Sequence, residues 1–285
     1  MMTKTFAPAL LERTLDDLTI LDEVSFQHVE IYAQLKDVLR EGAYTFRTLP
    51  QAASSRWDRA LLLNLTFWGG DGGDVLVDQS LPADVVAHAA WHHLAARALA
   101  EPITPSSMSL DTHAPQSAGA LFLGEAIASA FDVYLVGRLL GHSPRSSFLE
   151  TQVPAMADAA LAAGLSEDGF AALLSGIAED PDAAFDDLRT LLFDATRALY
   201  RAADANDGYV ALANFDAHRF APLLHRYELS NWVLYARAYA DPARAEDPKV
   251  NAVDQALRQC AGDKRETPLE WLTRTWITPA LSNQR

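Results

Sequence analysis

The chain of 285 residues has a formal net charge of −15, with 49% hydrophobic and 21% charged residues, a composition typical of a globular protein of one large or two small domains. The negative charge argues against nucleic acid or an anionic membrane as the main partner, and the single cysteine, Cys260, excludes an internal disulfide framework. The first residues lack the long apolar core of a secretory signal and no apolar run is expected to span a bilayer, so we expect a cytoplasmic protein.

The N-terminal part of the chain is predicted to contain two helices followed by a β-hairpin. Apolar residues recur at helical spacing from about Pro8 to Gly42, and Gly42 is a natural end for the second helix. The stretch from Tyr44 to Ser55 is expected to be irregular or partly extended. Two apolar runs, 59–68 and 74–78, are joined by a glycine-rich connection and therefore predict a hairpin.

The central predicted element is a long helix from Ser80 to Leu99. Ser80 is placed to cap this helix, and Asp84 favours the positive end of its dipole. His88 and His92 fall on one stripe of the helix, where both rings can aim at one point, as a metal ion requires of its first two ligands. The alternative is a pair of core or half-exposed histidines that bond to backbone groups or carboxylates.

A loop rich in proline and serine, 101–117, leads to a second long helix that is predicted over 118–140. Glu125 and Asp132 interrupt its apolar pattern two turns apart on one face. A lone acid on a buried face is costly unless it is paired or coordinates a cation, so both acids indicate a polar site. His113 in the loop is expected to be solvated.

These two helices resemble the gluzincin branch of the zincin metallopeptidases. The segment His-Ala-Ala-Trp-His at 88–92 is similar to that family's His-Glu-x-x-His, and Gly-Glu-Ala-Ile-Ala at 124–128 is similar to its third-ligand helix. The resemblance implies that His88, His92 and Glu125 are ligands of Zn²⁺. Ala89 stands where the family has its water-activating glutamate, which argues against ordinary peptide hydrolysis.

The resemblance also implies roles for residues around the metal. A zincin has an edge strand that pairs with an extended substrate, and residues 63–67 or 75–77 would form it here. Asp132 lies too far along its helix to be a fourth ligand and is expected to contact an imidazole from behind or to form a separate pairing. His93, about 100° round the helix from His92, is a candidate for the same supporting role.

After Gly141 the sequence predicts helices and no further strand. Their spacings vary, which argues against a solenoid of fixed repeats. We place a domain boundary between Gly141 and Ser147, which gives an N-terminal half of residues 1–141, a C-terminal half of residues 142–285 and a ligand cleft between them. The helices are predicted near 153–164, 167–178, 183–203, 215–226, 228–240, 248–261 and 267–278.

His218 and His225 are candidate catalytic residues in the C-terminal half. They lie seven residues apart on one face of a predicted helix, and Tyr227 and Tyr235 are near them in sequence. In zincins a histidine or tyrosine from the distal half often stabilises the oxyanion at the metal, and the resemblance implies this role for either histidine. The alternative is a polar contact on or between helices.

The predicted fold is α+β and mostly α-helical, with a small β-hairpin or sheet and the metal-site helices followed by an all-helical C-terminal half. The favoured function is a metal-binding, zincin-like hydrolase scaffold without its usual general base, with a peptide or small molecule as its ligand. Two imidazoles and one carboxylate equally suit Fe²⁺ in a non-haem oxygenase. A third hypothesis is a helical protein-interaction module in which both half-motifs are coincidental.

Overall fold

The computed structural model describes residues 10–49, 72–76, 78–100, 116–143, 145–241, 247–263 and 265–282. Over these residues the protein is mostly helical with a few short strands, which confirms the predicted α+β class. The first strand of the predicted hairpin, the edge-strand candidate 63–67 and the loop residue His113 lie outside the described residues.

Short strands within the described residues form two small sheets. In the first sheet, Leu11–Arg13 (β1) runs antiparallel to Thr45–Thr48 (β3), and β3 runs parallel to Gly72–Leu76 (β4). In the second sheet, Thr19–Leu21 (β2) runs parallel to Ser80–Pro82 (β5). The partner of β4 in the described part of the chain is therefore β3.

Four of these strands differ from the sequence prediction. β1 and β2 lie where the first of the two N-terminal helices was predicted, and that helix prediction is wrong because both segments pair with distant strands. β3 lies in the stretch expected to be irregular or partly extended; its Phe46 and Thr48 side chains are buried, and pairing with two neighbouring strands fixes its extended backbone. β5 contains Ser80, the residue predicted to cap a helix. That prediction is wrong because β5 pairs with β2, so the helix begins at Ala83 with Pro82 at its N-cap position.

Helices make up most of the described chain, and 3₁₀ turns occur at Leu15–Asp17 and Ala221–Tyr227. A π-helical turn, Thr273–Ile277, joins the last two helices. In chain order the α-helices are Glu23–Phe26 (α1), Glu30–Glu41 (α2), Ala83–Leu99 (α3), Ala118–Leu139 (α4), Ser147–Ala162 (α5), Glu167–Glu179 (α6), Pro181–Arg201 (α7), Ala205–Ala213 (α8), Leu229–Tyr239 (α9), Pro248–Asp263 (α10), Pro268–Leu272 (α11) and Thr278–Ser282 (α12).

The helix predicted over 215–226 is wrong. Residues 214–220 form turns and a bend, and the 3₁₀ turn follows them. The amide of Ala221 donates to the carbonyl of His218, and such bonds between residues three apart wind the chain more tightly than an α-helix does. His218 and His225 therefore do not share an α-helical face.

α4 forms the centre of the core. It is apolar on almost every side and packs against α3, α6 and α7, as expected of a helix without a polar face. One continuous cluster of buried side chains runs from Leu15 to Ile277 and includes residues of both predicted halves. Gly141, with a φ of +81°, turns the chain between α4 and α5 at the proposed boundary. The division into two domains stays a prediction.

By length and composition α4 could also cross a bilayer, so the expectation that no apolar run reaches this length is wrong. Of its most apolar window, 78% is buried inside the protein. Core helices of soluble proteins pass the same test, so α4 is weak evidence for a membrane segment. The cellular location stays a prediction.

Candidate metal centre

The side chains of His88 and His92 on α3 and of Glu125 on α4 converge on one point. One ligand atom from each residue lies within 4.8 Å of the ligand atoms of the other two. The Nε2 atoms of His88 and His92 are 3.1 Å apart, and Nε2 of His92 lies 3.6 Å from Oε2 of Glu125. Ligand atoms of a tetrahedral zinc ion are about 3.4 Å apart, so these three groups can share one ion.

Helix geometry explains why these side chains meet. The spacing of four residues places both imidazoles on one side of α3, with ring centroids 4.9 Å apart. α4 approaches that side closely at Gly124, where a Cβ atom would lie at van der Waals distance, 3.4 Å from Cβ of Ala95 and 4.0 Å from Nδ1 of His92. The close approach brings the adjacent Glu125 within reach of the imidazoles.

Asp132 lies behind the first imidazole. Its Oδ2 atom is 3.5 Å from Nδ1 of His88, on the opposite side of the ring from the Nε2 atom that faces His92. A carboxylate at Nδ1 favours the tautomer that leaves Nε2 free for a metal and holds the ring in place. Asp132 therefore occupies the position of a residue that orients a metal ligand.

Asp84 is a further member of this group and was assigned only a helix-dipole role from sequence. It lies one turn before His88 on α3, and burial together with the negative charge of Asp132 raises its pKa to about 6. Asp84 and His88 are four residues apart, as are His88 and His92. This spacing is the sequence signal that places Asp84 on the same face of the helix as the two histidines.

The protonation of the ligands suits a metal ion. Burial, with a smaller contribution from His88, lowers the pKa of His92 to about 3, so its imidazole is neutral at ordinary pH, as a ligand must be. Burial raises the pKa of Glu125 from its ordinary value and the charge of Asp132 raises it further, whereas His88 opposes the shift. A divalent cation would stabilise the Glu125 carboxylate. Side-chain exposures of 34% for His88 and 35% for His92 leave the site accessible.

Two other predicted residues lie on α3 outside the converging group. Ala89 is half-buried against the core and carries no group that could act as a base. His93 is 8% exposed on another side of α3, where its ring packs edge-on against Tyr44 at 5.4 Å and its Nε2 atom lies 3.5 Å from Arg97. The structure therefore places His93 away from the three converging side chains.

The two histidines of the C-terminal half do not belong to the converging group. Nδ1 of His218 accepts a hydrogen bond from the amide of Phe220 at 3.2 Å, and burial lowers the pKa of His218 while the charge of Asp187 opposes the shift. His225 is exposed. The oxyanion role stays a prediction for both residues.

Two tyrosines of the C-terminal half lie near the acids of α4 instead. Burial raises the pKa of Tyr227, and the negative charge of Asp132 adds to that effect. The pKa of Tyr235 is raised by burial, by Tyr239 and by the charge of Glu125. Their sequence neighbourhood does not reveal this proximity, because it depends on how α9 packs against α4.

A second concave surface lies elsewhere on the molecule. A groove of about 700 Å³ lies between α2 and the C-terminal helices, and its lining includes Gln34, Arg138, Asp182 and Thr273. None of the three converging ligands lines this groove. The ligand cleft between the two halves stays a prediction.

Comparisons of the chain found no matching family model, no similar curated protein and no similar solved structure. We therefore infer the function of the site from its own geometry and chemistry.

Proposed function

We propose that this protein binds one Zn²⁺ ion through His88, His92 and Glu125 and is a zincin-like metalloprotein without the usual general base. The observation that carries this proposal is the convergence of two imidazoles and one carboxylate, with all ligand atoms within 4.8 Å of one another. The carboxylate of Asp132 behind His88 supports it, because structural and catalytic zinc sites commonly hold their histidines in this way.

The same geometry limits the chemistry that the site can perform. Zinc with three protein ligands keeps an open position and acts as a Lewis acid towards a bound carbonyl. Ala89 provides no carboxylate for proton transfer, and the absence of a positioned base costs a hydrolase about 10²–10⁴-fold in rate. We therefore infer that the protein has little or no activity on ordinary peptide bonds.

Fe²⁺ is the second candidate ion. Two histidines and one carboxylate are the ligand set of non-haem iron oxygenases, which have no need of a glutamate at the position of Ala89. Elemental analysis of the purified protein distinguishes the two ions. Iron at one equivalent, with zinc absent, would favour an oxygenase, and the absence of both metals would favour an interaction module.

Metal titration of the stripped protein tests the proposed ligands. We expect one Zn²⁺ per chain by calorimetry, and we expect His88→Ala to abolish this stoichiometric binding because it removes one of three ligands. His142→Ala is the matched control, since His142 is exposed just after α4, where its ring stacks on His28 and is not one of the three converging side chains. Full zinc binding by His88→Ala would place the ion elsewhere and overturn the proposal.

A further inference from the structure

α9 packs against α4, and the contacts at its two ends show that the two helices run in opposite directions. At one end, the amide of Asp241, just after α9, donates to the carbonyl of Gln116, just before α4, at 3.1 Å. At the other end, Arg226, just before α9, donates to Gln152 on α5, the helix that follows α4, and the charge of Asp132 in the second half of α4 acts on the neighbouring Tyr227. The middle of α9 is therefore level with the part of α4 that carries the carboxylate ligand.

Two tyrosines lie one turn apart on α9, one within reach of the charge of Glu125 and the other exposed at the surface. Tyr235 lies near Glu125, whose negative charge contributes to the raised pKa of the phenol. The rings of Tyr235 and Tyr239 are in contact, with centroids 4.9 Å apart and planes inclined by 37°. Tyr239 is 67% exposed, so an aromatic surface leads outward from the metal ligands.

The charges around this aromatic surface are negative on the side of the metal centre. Asp84, Glu125 and Asp132 all lie there, and the charges that act on Glu125 are those of Asp132 and the neighbouring imidazole. Arg97 lies on another side of α3, and Arg237 on α9 donates to backbone carbonyls at the end of α7. Neither arginine is placed to bind an anionic ligand at the metal.

We propose that Tyr235 and Tyr239, together with the carboxylates of the metal centre, form a subsite for an organic cation. The cation is an ammonium or guanidinium group on a ligand whose other end coordinates the metal. A cation is attracted to the face of a tyrosine ring, and the nearby carboxylates add attraction at longer range. This inference rests on the proposed metal function and deepens it by naming the class of ligand.

A series of hydroxamates tests this subsite, because the hydroxamate group coordinates zinc while the side group reports on its surroundings. The zinc-loaded protein is titrated with acetohydroxamate, benzohydroxamate and the 4-aminomethyl and 4-carboxy derivatives of benzohydroxamate. We expect the cationic derivative to bind at least about tenfold more tightly than the anionic one, with a smaller difference at high salt. Tyr239→Ala should weaken binding of the cationic derivative about threefold or more and leave acetohydroxamate binding unchanged.

Two further variants provide the controls. Tyr239→Phe keeps an aromatic face and should keep the preference for the cation, whereas Tyr209→Ala removes another tyrosine, 78% exposed on α8, and should change none of the four affinities. Circular dichroism and zinc content establish that each variant is folded. Equal affinities for the cationic and anionic probes, or an unchanged preference in Tyr239→Ala, would overturn the subsite and leave the metal centre intact. Failure of both zinc and acetohydroxamate to bind would overturn the proposed function itself, and the subsite with it.

Discussion

The protonation of Asp84 depends on its burial and on a neighbouring acid of the proposed metal centre. Burial and the charge of Asp132 raise its pKa from 3.8 to about 6. Below pH 3.8 this carboxyl group is protonated in both the folded and the unfolded protein and does not affect stability. Between pH 3.8 and about 6 the unfolded chain releases the proton while the folded protein retains it, so Asp84 lowers the free energy of unfolding as the pH rises.

The variant Asp84→Asn tests this linkage in the metal-free protein. We expect it to match the parent near pH 3.5 and to become more stable than the parent between pH 4 and about 6, by on the order of 1 kcal/mol after allowance for partial exposure. Above about pH 6 the difference should be constant. Urea denaturation in the presence of a chelator, repeated across this pH range, measures it. If the two proteins already differ in free energy of unfolding at pH 3.5, the stabilisation comes from packing and not from the ionisation of Asp84.

Single residues also show how far the site follows from sequence. His88, His92 and Glu125 were identified because each interrupts an apolar helical pattern, and the structure brings these three side chains together. Residue type alone does not distinguish His93 from the adjacent His92. The position of His93 on the helix, one residue further along, places its ring against Tyr44. Tyr235 reaches the site through the packing of α9, which no local pattern encodes.

The proposed metal centre depends on the close approach of α3 to α4. At Gly124 a methyl group would make ordinary van der Waals contacts of 3.4 Å with Ala95 and 4.0 Å with His92, whereas a longer side chain would push the helices apart. Gly124→Ala should therefore keep zinc affinity and stabilise α4 by about 0.5–1 kcal/mol. Gly124→Leu should reduce zinc affinity at least about tenfold.

Titration of both variants with zinc by calorimetry checks this prediction. The alanine variant is the control, because it removes the backbone freedom of glycine without adding a long side chain. An equal loss of affinity in both variants would mean that backbone freedom at this position, and not the space between the helices, is what the site requires.

Periodicity predicts helices better than it predicts the short elements between them. α3 and α4 carry long apolar runs whose spacing is visible in the sequence, and both form close to the predicted ranges. β3 and β5 are three or four residues long, and their extended form depends on partners distant in the chain. The turns at 214–220 do not follow from the sequence, because the spacing of apolar residues there is also compatible with an α-helix.

At the scale of the whole molecule, zinc would link two central helices of the core. A ligand that binds only the folded state adds free energy of unfolding, about 2.7 kcal/mol at a free concentration of 100 times its Kd. Zinc should therefore raise the melting temperature of the parent protein and leave that of Glu125→Gln almost unchanged.

Without metal, Glu125→Gln should be at least as stable as the parent, because burial already raises the pKa of this acid and disfavours its charged form. Scanning calorimetry with and without zinc measures both effects, and a metal-free Glu125→Gln protein of clearly lower stability would assign Glu125 a structural role.

The variant Ala89→Glu tests whether the scaffold can act as a peptidase. Ala89 directly follows the first proposed ligand on α3 and is only half-buried, so the flank of the helix has room for a longer side chain there. Ala89→Glu should raise hydrolysis of a generic peptide mixture by the zinc-loaded protein about 10²-fold or more, because it restores a carboxylate for proton transfer. Ala89→Gln introduces a side chain of the same size as glutamate without the carboxylate. Its rate of peptide hydrolysis should remain that of the parent protein. A folded, zinc-loaded Ala89→Glu protein that hydrolyses no peptide would mean that more than one residue separates this site from a peptidase, and it would favour iron chemistry or a purely binding role.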